Sequence, residues 1–234
     1  MRARAITGLD ENMPWKLREN VHWCDCGGRA VFLDLKADLY FCLPRESNSA
    51  FLRATEDESR PRDPELLEPL VRRRLLVEDG TRARIQSPAA IEAPQSDFAT
   101  GPNDRIGLSN LVRAISSELW TAWLLRRRTL YDVIESVRRI EPIHRLIPRD
   151  EHRSIQRLVT ASSTSAFFLR SHDRCLVRGL ALHAACRRRG VATNLVLGVV
   201  AHPFTAHCWV QLGTSVLIGG YEQARLYTPI LVVG

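Results

Sequence analysis

Residues 172–212 decide the fold of the second half of this chain, and they read HDRCLVRGLALHAACRRRGVATNLVLGVVAHPFTAHCWVQL. The pattern predicts a helix that begins near Asp173, a good N-cap residue, and ends before Gly190, which suits a C′ position. Strands are expected over 193–200, 206–212 and 215–218, and a tight turn joins the last two. With a further short strand over 226–233, the region predicts a helix beside an antiparallel sheet.

Two side chains in this stretch are candidates for catalysis. Cys175 falls in the first turn of the predicted helix, where free backbone N–H groups and the helix dipole stabilise a thiolate. His207 lies on the second predicted strand and is the candidate base. A cysteine at a helix N-terminus facing a histidine on a sheet is the arrangement of papain and the transglutaminases. The alternative is that both are ordinary core residues, a small buried thiol and a hydrogen-bonded imidazole.

The first part of the chain has the pattern of a separate small domain. Residues 20–43 place aromatic and β-branched residues between Gly and Asp turns, which predicts three short strands. Residues 46–77 then change to a helical period, including a helix at Leu70 to Leu76. Three strands followed by two or three short helices predict a winged-helix-like domain over residues 1–80.

A linker and a larger domain follow. Residues 81–104 lack periodicity and contain scattered prolines and glycines, which indicates a linker. Residues 105–234 then begin with helices, and the apolar stripe that includes Trp120 and Trp123 is expected in their core. The expected class is therefore α+β, with a small N-terminal domain and a larger C-terminal domain.

Composition sets broad limits on function. The 234 residues are 45% apolar and 25% charged, as in ordinary globular proteins. No segment approaches the roughly 20 apolar residues that span a bilayer, and no apolar run follows the N-terminal arginines. A cytoplasmic location is the resulting expectation. The net charge of +7 favours acidic partners, although a bias toward arginine codons explains it equally well.

The cysteines suggest one metal site as an alternative to buried thiols. Six cysteines are too few for a disulfide scaffold and are expected to be reduced. His22, Cys24 and Cys26 alternate onto one strand face near Cys42, which is a possible four-ligand zinc set. Their spacing is not that of known zinc modules, so we expect no metal and no other cofactor.

Four short runs of the C-terminal domain carry a resemblance to one family: CLVRGLAL (175–182), RRRGV (187–191), LVLGV (195–199) and PFTAHCWV (203–210). Together they resemble the lasso-peptide B protein, a transglutaminase-like cysteine protease. Residues 15–80 look like the peptide-recognition domain of many ribosomal-peptide pathways, which some members of this family carry ahead of the protease. The implied fold is a winged-helix-like recognition domain followed by a papain/transglutaminase-like domain.

The resemblance implies a function in peptide maturation. The leader of a precursor peptide would add as a strand beside residues 38–43 and pack against the last helix of the recognition domain. The residues expected to contact it are Tyr40, Cys42, Leu67, Val71 and Arg74. The Cys175 thiolate would then attack the bond between leader and core and form a thioester that water hydrolyses, so that the core peptide is set free. A separate cyclase similar to asparagine synthetases is an implied partner, whereas nucleic acid and membranes are not.

The sequence departs from the family at the third catalytic position. The family usually has an aspartate about a dozen residues after the histidine, and here that position is Gly219. Glu222 is the nearest carboxylate and is the candidate replacement. Gln211 is a second candidate, since a neutral amide serves in papain. A backbone carbonyl or a water molecule is also possible.

Three other functions remain open. A non-catalytic leader-binding adaptor for the cyclase would explain the missing aspartate. An acyltransferase would use Cys175 and His207 with a different acceptor. A winged-helix nucleic-acid binder would fit the positive charge and would show steeply salt-dependent DNA binding.

Overall fold

The computed structural model describes residues 15–56, 64–78, 85, 89–100, 107–142, 148–168 and 174–234. The strands are β1 (Trp15–Leu17), β2 (Val21–Asp25), β3 (Ala30–Asp34), β4 (Leu39–Cys42), β5 (Leu76–Glu78), β6 (Ser96–Asp97), β7 (Asn194–Ala201), β8 (Phe204–Leu212), β9 (Ser215–Ile218) and β10 (Thr228–Val233). The helices are α1 (Arg45–Glu56), α2 (Glu68–Arg72), α3 (Leu108–Arg127), α4 (Leu130–Arg138), α5 (Pro148–Phe168), α6 (Cys175–Arg188) and α7 (Tyr221–Ala224). A 3₁₀ turn, Pro64–Leu67, precedes α2. The mixed α+β class is confirmed.

The three strands predicted near the N-terminus form an antiparallel sheet in the order β2-β3-β4. Gly27 and Gly28 have positive φ angles of 66° and 85°, so the turn between β2 and β3 uses conformations that glycine adopts freely. One sequence expectation fails nearby. The helix predicted to reach Leu76 ends at Arg72, and Arg74, at a φ of 54°, turns the chain into β5, which pairs with β1.

The second sheet has five strands in the order β10-β7-β8-β9-β6. Four of them form the antiparallel sheet expected from residues 193–233, and β6 adds in parallel to β9. The strand β6 lies inside the expected linker. Backbone N–H groups on both sides of it donate to this sheet, from Gln95 to Thr214 and from Phe98 to Val216, both at 2.8 Å. Part of residues 81–104 is therefore an edge of the sheet.

Helix α6 packs on β7 and β8 at a very close distance. A Cβ atom added at Gly179 would lie 2.9 Å from Cys208 Sγ and 3.0 Å from Leu195 Cδ1. The absence of a side chain at Gly179 thus lets the helix approach the sheet, which fixes the N-terminus of α6 beside β8.

The helices α3, α4 and α5 complete the C-terminal half. The apolar stripe of α3 is only partly in the core, contrary to expectation, because Trp120 and Trp123 are 58% and 45% exposed. Their rings stack on each other with centroids 4.8 Å apart. Within the described part of the chain, no helix is both long enough and apolar enough to cross a bilayer.

The N-terminal sheet packs on both of its faces, and every residue of β3 is buried. On one face Phe32 and Trp23 meet Phe51 of α1, with ring centroids 4.9 and 5.0 Å away. On the other face Val31 and Leu33 join the core of the C-terminal half. The sheet is therefore a shared layer between the two halves of the chain.

The alternative zinc set lies at this shared layer. Cys24 Sγ is 3.7 Å from Cys26 Sγ, and Cys26 donates to the carbonyl oxygen of Val199. Burial raises the pKa of Cys24 far above its usual range, which keeps it a neutral thiol. Among the described residues there is no group of three or more His, Cys, Asp or Glu side chains that could hold a metal ion.

The buried His183 on α6 predicts a pH dependence of stability. Its side chain is fully buried, its Nδ1 lies 2.9 Å from Thr193 Oγ1, and its Nε2 has no partner. Burial, together with nearby Arg187, lowers the pKa of His183 from 6.5 to about 4. Because the unfolded chain binds this proton and the folded chain does not, stability is retained above pH 6.5 and declines as pH falls toward 4.

We expect His183→Leu to remove the loss of stability that the buried histidine causes at low pH, which amounts to about 3 kcal/mol. Urea unfolding of the wild type and the variant at about pH 7.5 and about pH 4, which span the histidine titration, measures this loss of stability. The exposed His152→Leu is the matched control. Equal losses of stability in the wild type and His183→Leu would contradict the assignment.

Candidate active site

A cavity of about 480 Å³ lies where the N-terminus of α6 meets β8. Its walls come from α5, the start of α6, β8, β9 with the two glycines after it, and Asp97, Phe98 and Thr100. Both Cys175 and His207 line it. The structure therefore brings the two candidate catalytic residues to one cavity.

Cys175 is the first residue of α6. The N-cap residue is Arg174. Its side chain makes no capping bond, so it leaves the first backbone N–H groups of the helix free of a side-chain cap. The predicted N-cap Asp173 and the flanking His172 lie outside the described residues. Cys175 and His207, both described, share no hydrogen bond with each other, and catalytic contacts commonly tighten only when substrate binds.

His207 is held by a backbone carbonyl group. Its Nε2 lies 2.9 Å from the carbonyl oxygen of Gly219. A carbonyl oxygen only accepts, so Nε2 carries the hydrogen and donates it. Nδ1 is then the unprotonated nitrogen, which is the one that can accept a proton from a thiol. The ring also lies beside Tyr227, with centroids 5.1 Å apart.

The structure explains why a carboxylate does not occupy position 219. Gly219 has a φ of 109°, and an added Cβ would lie 2.5 Å from Trp209 Cβ and 3.1 Å from the carbonyl oxygen of Cys208. The pairing of β9 with β8 shifts here, because Val210 faces Ile218 while Gln211 faces Val216. The chain thus runs too close to β8 for any side chain, and its own carbonyl group reaches the imidazole.

Comparison with known proteins assigns this half of the chain to a family. Residues 119–232 match the Transglutaminase-like superfamily. This part of the chain is a transglutaminase-like domain. No curated protein and no solved structure gives a significant match. A helix N-terminal cysteine and a strand histidine on one cavity are the arrangement that such a domain is expected to contain.

The two side chains proposed to replace the aspartate lie elsewhere in the transglutaminase-like domain. Glu222 is exposed, and its carboxylate pairs with Arg225 at 2.8 Å. Gln211 is buried, accepts from Trp209 Nε1 at 2.8 Å and donates to the carbonyl oxygens of Glu92 and Gly213. Among the described interactions, neither residue forms a hydrogen bond with His207. Gln211 instead anchors the segment before β6.

The other cysteines of the domain are core residues. Burial raises the pKa of Cys186 to about 12, and burial followed by nearby Cys175 raises the pKa of Cys208 well above its ordinary value. Both therefore remain neutral thiols at physiological pH. Cys175, half-buried at the cavity, is the cysteine that substrate can reach.

Three charged residues of the cavity were not singled out from the sequence. Arg174 and Arg178 line it from α6, and Asp97 lines it from β6. Helical periodicity could have identified the arginines, since residues three or four apart share a helix face. Asp97 carries no such signal. Its Oδ1 accepts from the backbone N–H of Tyr221 at 2.8 Å, which ties β6 to α7.

The five residues expected to contact a leader do not form one surface. Tyr40 and Cys42 point toward the transglutaminase-like domain, and the Tyr40 ring lies 5.4 Å from that of Phe204. Leu67 is a core residue, 2% exposed. Val71 is half-buried and Arg74 is exposed, so these two remain available at the surface.

Restoring the family's aspartate should fail. Gly219→Asp would force a side chain against Trp209 and would place an aspartate at a positive φ angle. Together these effects should lower the free energy of unfolding by about 3 kcal/mol or more. Gly220→Asp is a matched control, because Gly220 also has a positive φ, 76°, but its added Cβ meets nothing within 4 Å. We expect it to cost about 1–2 kcal/mol.

In both variants, urea unfolding measures the loss of stability, and the rate of alkylation by iodoacetamide measures the reactivity of the Cys175 thiol. A Gly219→Asp protein that is as stable as the wild type and at least as reactive would show that position 219 does not have the geometry described.

Proposed function

We propose that the chain is a leader peptidase of lasso-peptide maturation, which cleaves the bond between the leader and the core of a ribosomal precursor peptide. A transglutaminase-like domain supports cysteine protease or acyltransferase chemistry. The observation that carries the proposal is the oriented imidazole of His207 on the same cavity as Cys175. The resemblance of residues 175–210 to the lasso-peptide B protein supplies the substrate class.

The chemistry uses the tautomer that Gly219 sets. His207 Nδ1 takes the proton of the Cys175 thiol, and the thiolate adds to the carbonyl carbon of the scissile bond. The imidazolium then protonates the leaving amine, so the C–N bond breaks and a thioester forms. Water attacks the thioester with His207 again as base, which releases the acid and the free thiol. The backbone N–H of Cys175 is a donor for the tetrahedral oxyanion.

Leader binding is assigned to the free edge of the N-terminal sheet. On its outer side β4 has no strand partner within the described residues, and Leu39 at its start is 54% exposed. A peptide could add there as a fourth strand, in the manner of recognition domains with a winged-helix-like fold. Phe41, Leu66 and Val71 are half-buried members of one apolar cluster, which gives the leader side chains a surface to pack on.

The roles of the predicted contacts change accordingly. In this proposal Val71 and Arg74 contact the leader, whereas Tyr40 and Cys42 join the recognition sheet to the protease and Leu67 supports its core. The core peptide passes to the asparagine-synthetase-like cyclase, which is the second proposed partner. We propose no cofactor and no role for nucleic acid.

Two observations are also compatible with other functions, which the experiments must distinguish. The backbone carbonyl in place of a carboxylate leaves His207 without a charged partner among the described residues, as expected of a slow enzyme or of a leader-binding adaptor. The family match is equally compatible with an acyltransferase that uses the same pair.

Mass spectrometry of a matched precursor, incubated with the wild type, Cys175→Ala and Glu222→Gln, tests the proposal. We expect a single cut by the wild type, loss of at least about 10³-fold in Cys175→Ala, and a change below about twofold in the exposed control Glu222→Gln. Product mass separates hydrolysis, which adds water, from transfer to another acceptor.

Binding of the leader to the same proteins separates peptidase from adaptor. Cys175→Ala should bind the leader as the wild type does, and Val71→Asp should weaken binding. If the wild type and Cys175→Ala both bind the leader but neither cuts, even with the cyclase present, the peptidase proposal fails and the adaptor stands.

The protonation of His207 predicts the acid limb of the activity. Burial lowers the pKa of His207 below its ordinary value of 6.5, and the bond to Gly219 opposes that shift only in part. The neutral imidazole is the base, so the midpoint of the acid limb of kcat/KM should lie below pH 6.5. A precursor-cleavage profile whose acid limb has its midpoint above 6.5 would contradict this assignment.

A further inference from the structure

Two guanidinium groups face the catalytic cavity beside the nucleophile. Arg174 immediately precedes Cys175, and Arg178 lies one helical turn further along α6. Both are half-buried and both line the cavity. Arg178 donates one hydrogen bond through Nη2, to the carbonyl oxygen of Ser162 at 3.1 Å.

Each of these arginines keeps a buried nitrogen without a partner. In the part of the chain that the structure describes, Arg174 Nη1 and Arg178 Nε are inaccessible to solvent and have no hydrogen-bond acceptor. A buried donor that has lost water and gained no acceptor costs free energy. The guanidinium stays charged at any physiological pH, so the strongest acceptor for it is an anion.

The cavity offers little negative charge to balance them. Asp97 is the one carboxylate among its described lining residues, and one of its oxygens already accepts from Tyr221. Neither Arg174 nor Arg178 takes part in an ion pair within the part of the chain that the structure describes. The walls next to Cys175 are thus net positive.

We propose that Arg174 and Arg178 form an anion subsite of the catalytic cavity, and that the substrate places the carboxylate of an Asp or Glu side chain there, close to the bond that is cut. The subsite follows from the cavity, whereas the nature of the substrate rests on the proposed peptidase function. A side-chain carboxylate is the fitting anion, because an unmodified peptide has no other anionic group next to an internal bond. Arginine recognises it by two parallel hydrogen bonds.

A pair of small alkylating reagents tests the subsite without any peptide. Iodoacetate and iodoacetamide both lose iodide to the Cys175 thiolate and form a carbon–sulfur bond, and they differ mainly in charge. The ratio of their rates, measured by mass spectrometry of the peptide that contains Cys175, cancels any change in thiolate fraction. Arg174→Gln and Arg178→Gln should each lower the ratio about tenfold, the scale expected for loss of a charge-assisted hydrogen bond.

Three further variants separate recognition from general charge and from folding. Arg113→Gln removes the same charge from α3, on a different cavity of the same half, and should leave the ratio unchanged. Arg178→Lys and Arg174→Lys keep the positive charge, so each should retain most of the wild-type ratio of the two alkylation rates. Arg174→Gln breaks no described hydrogen bond, so it remains informative if Arg178→Gln loosens α6 from Ser162.

A ratio that is unchanged in both glutamine variants, or that falls equally in Arg113→Gln, overturns the subsite. Replacing the acidic residues nearest the cut in the precursor by their amides tests the substrate. Cleavage should slow in the wild type but not further in Arg178→Gln, and equal effects in both would overturn the carboxylate assignment. If the rate ratio falls in the glutamine variants but no precursor is cut, the anion subsite stands and the peptidase function fails. If the precursor is cut but the ratio does not change in those variants, the peptidase function stands and the subsite fails.

Discussion

The hydrogen bond from His207 Nε2 to the carbonyl oxygen of Gly219 is the interaction on which the candidate active site depends. It exists because β9 shifts its register and then passes so close to Trp209 that no side chain fits at position 219. The same crowding that excludes an aspartate delivers a carbonyl oxygen in its place. An uncharged acceptor fixes the tautomer as a carboxylate would, but it stabilises the imidazolium less.

The N-terminal sheet, on whose edge we propose that a leader binds, is connected to this site through shared packing. Strand β3 is buried on both faces, so its inner face forms part of the core beneath the catalytic sheet. The strand β6 and Gln211 fasten the intervening segment to the same sheet and bring Asp97 to the cavity. In that proposal, a leader on the edge of β4 would lie on a sheet that shares its core with the transglutaminase-like domain, rather than on a tethered module.

Local pattern sufficed for some of this structure and not for the rest. The position of Cys175 at a helix start and of His207 on a strand follows from periodicity and turn residues near each of them. The partner of His207 depends on backbone conformation at Gly219, which the sequence marks only as a missing carboxylate. Strand alternation separates Tyr40 from Phe41 but does not say which face meets a second core, so the packing of Tyr40 and Cys42 against the C-terminal half could not be predicted from it. The exposure of Trp120 likewise depends on what packs against α3.

The tautomer of His207 shows whether the carbonyl group of Gly219 orients the imidazole as a base for Cys175. Protein labelled with ¹⁵N in its histidines gives two-bond ¹H–¹⁵N correlations that distinguish the ring nitrogens, and a His207→Gln spectrum assigns the signals of this residue. At neutral pH we expect His207 to carry its hydrogen on Nε2, with Nδ1 as the unprotonated nitrogen. A hydrogen on Nδ1 would mean that the carbonyl group of Gly219 does not hold the ring, and that His207 cannot serve Cys175 in the way described.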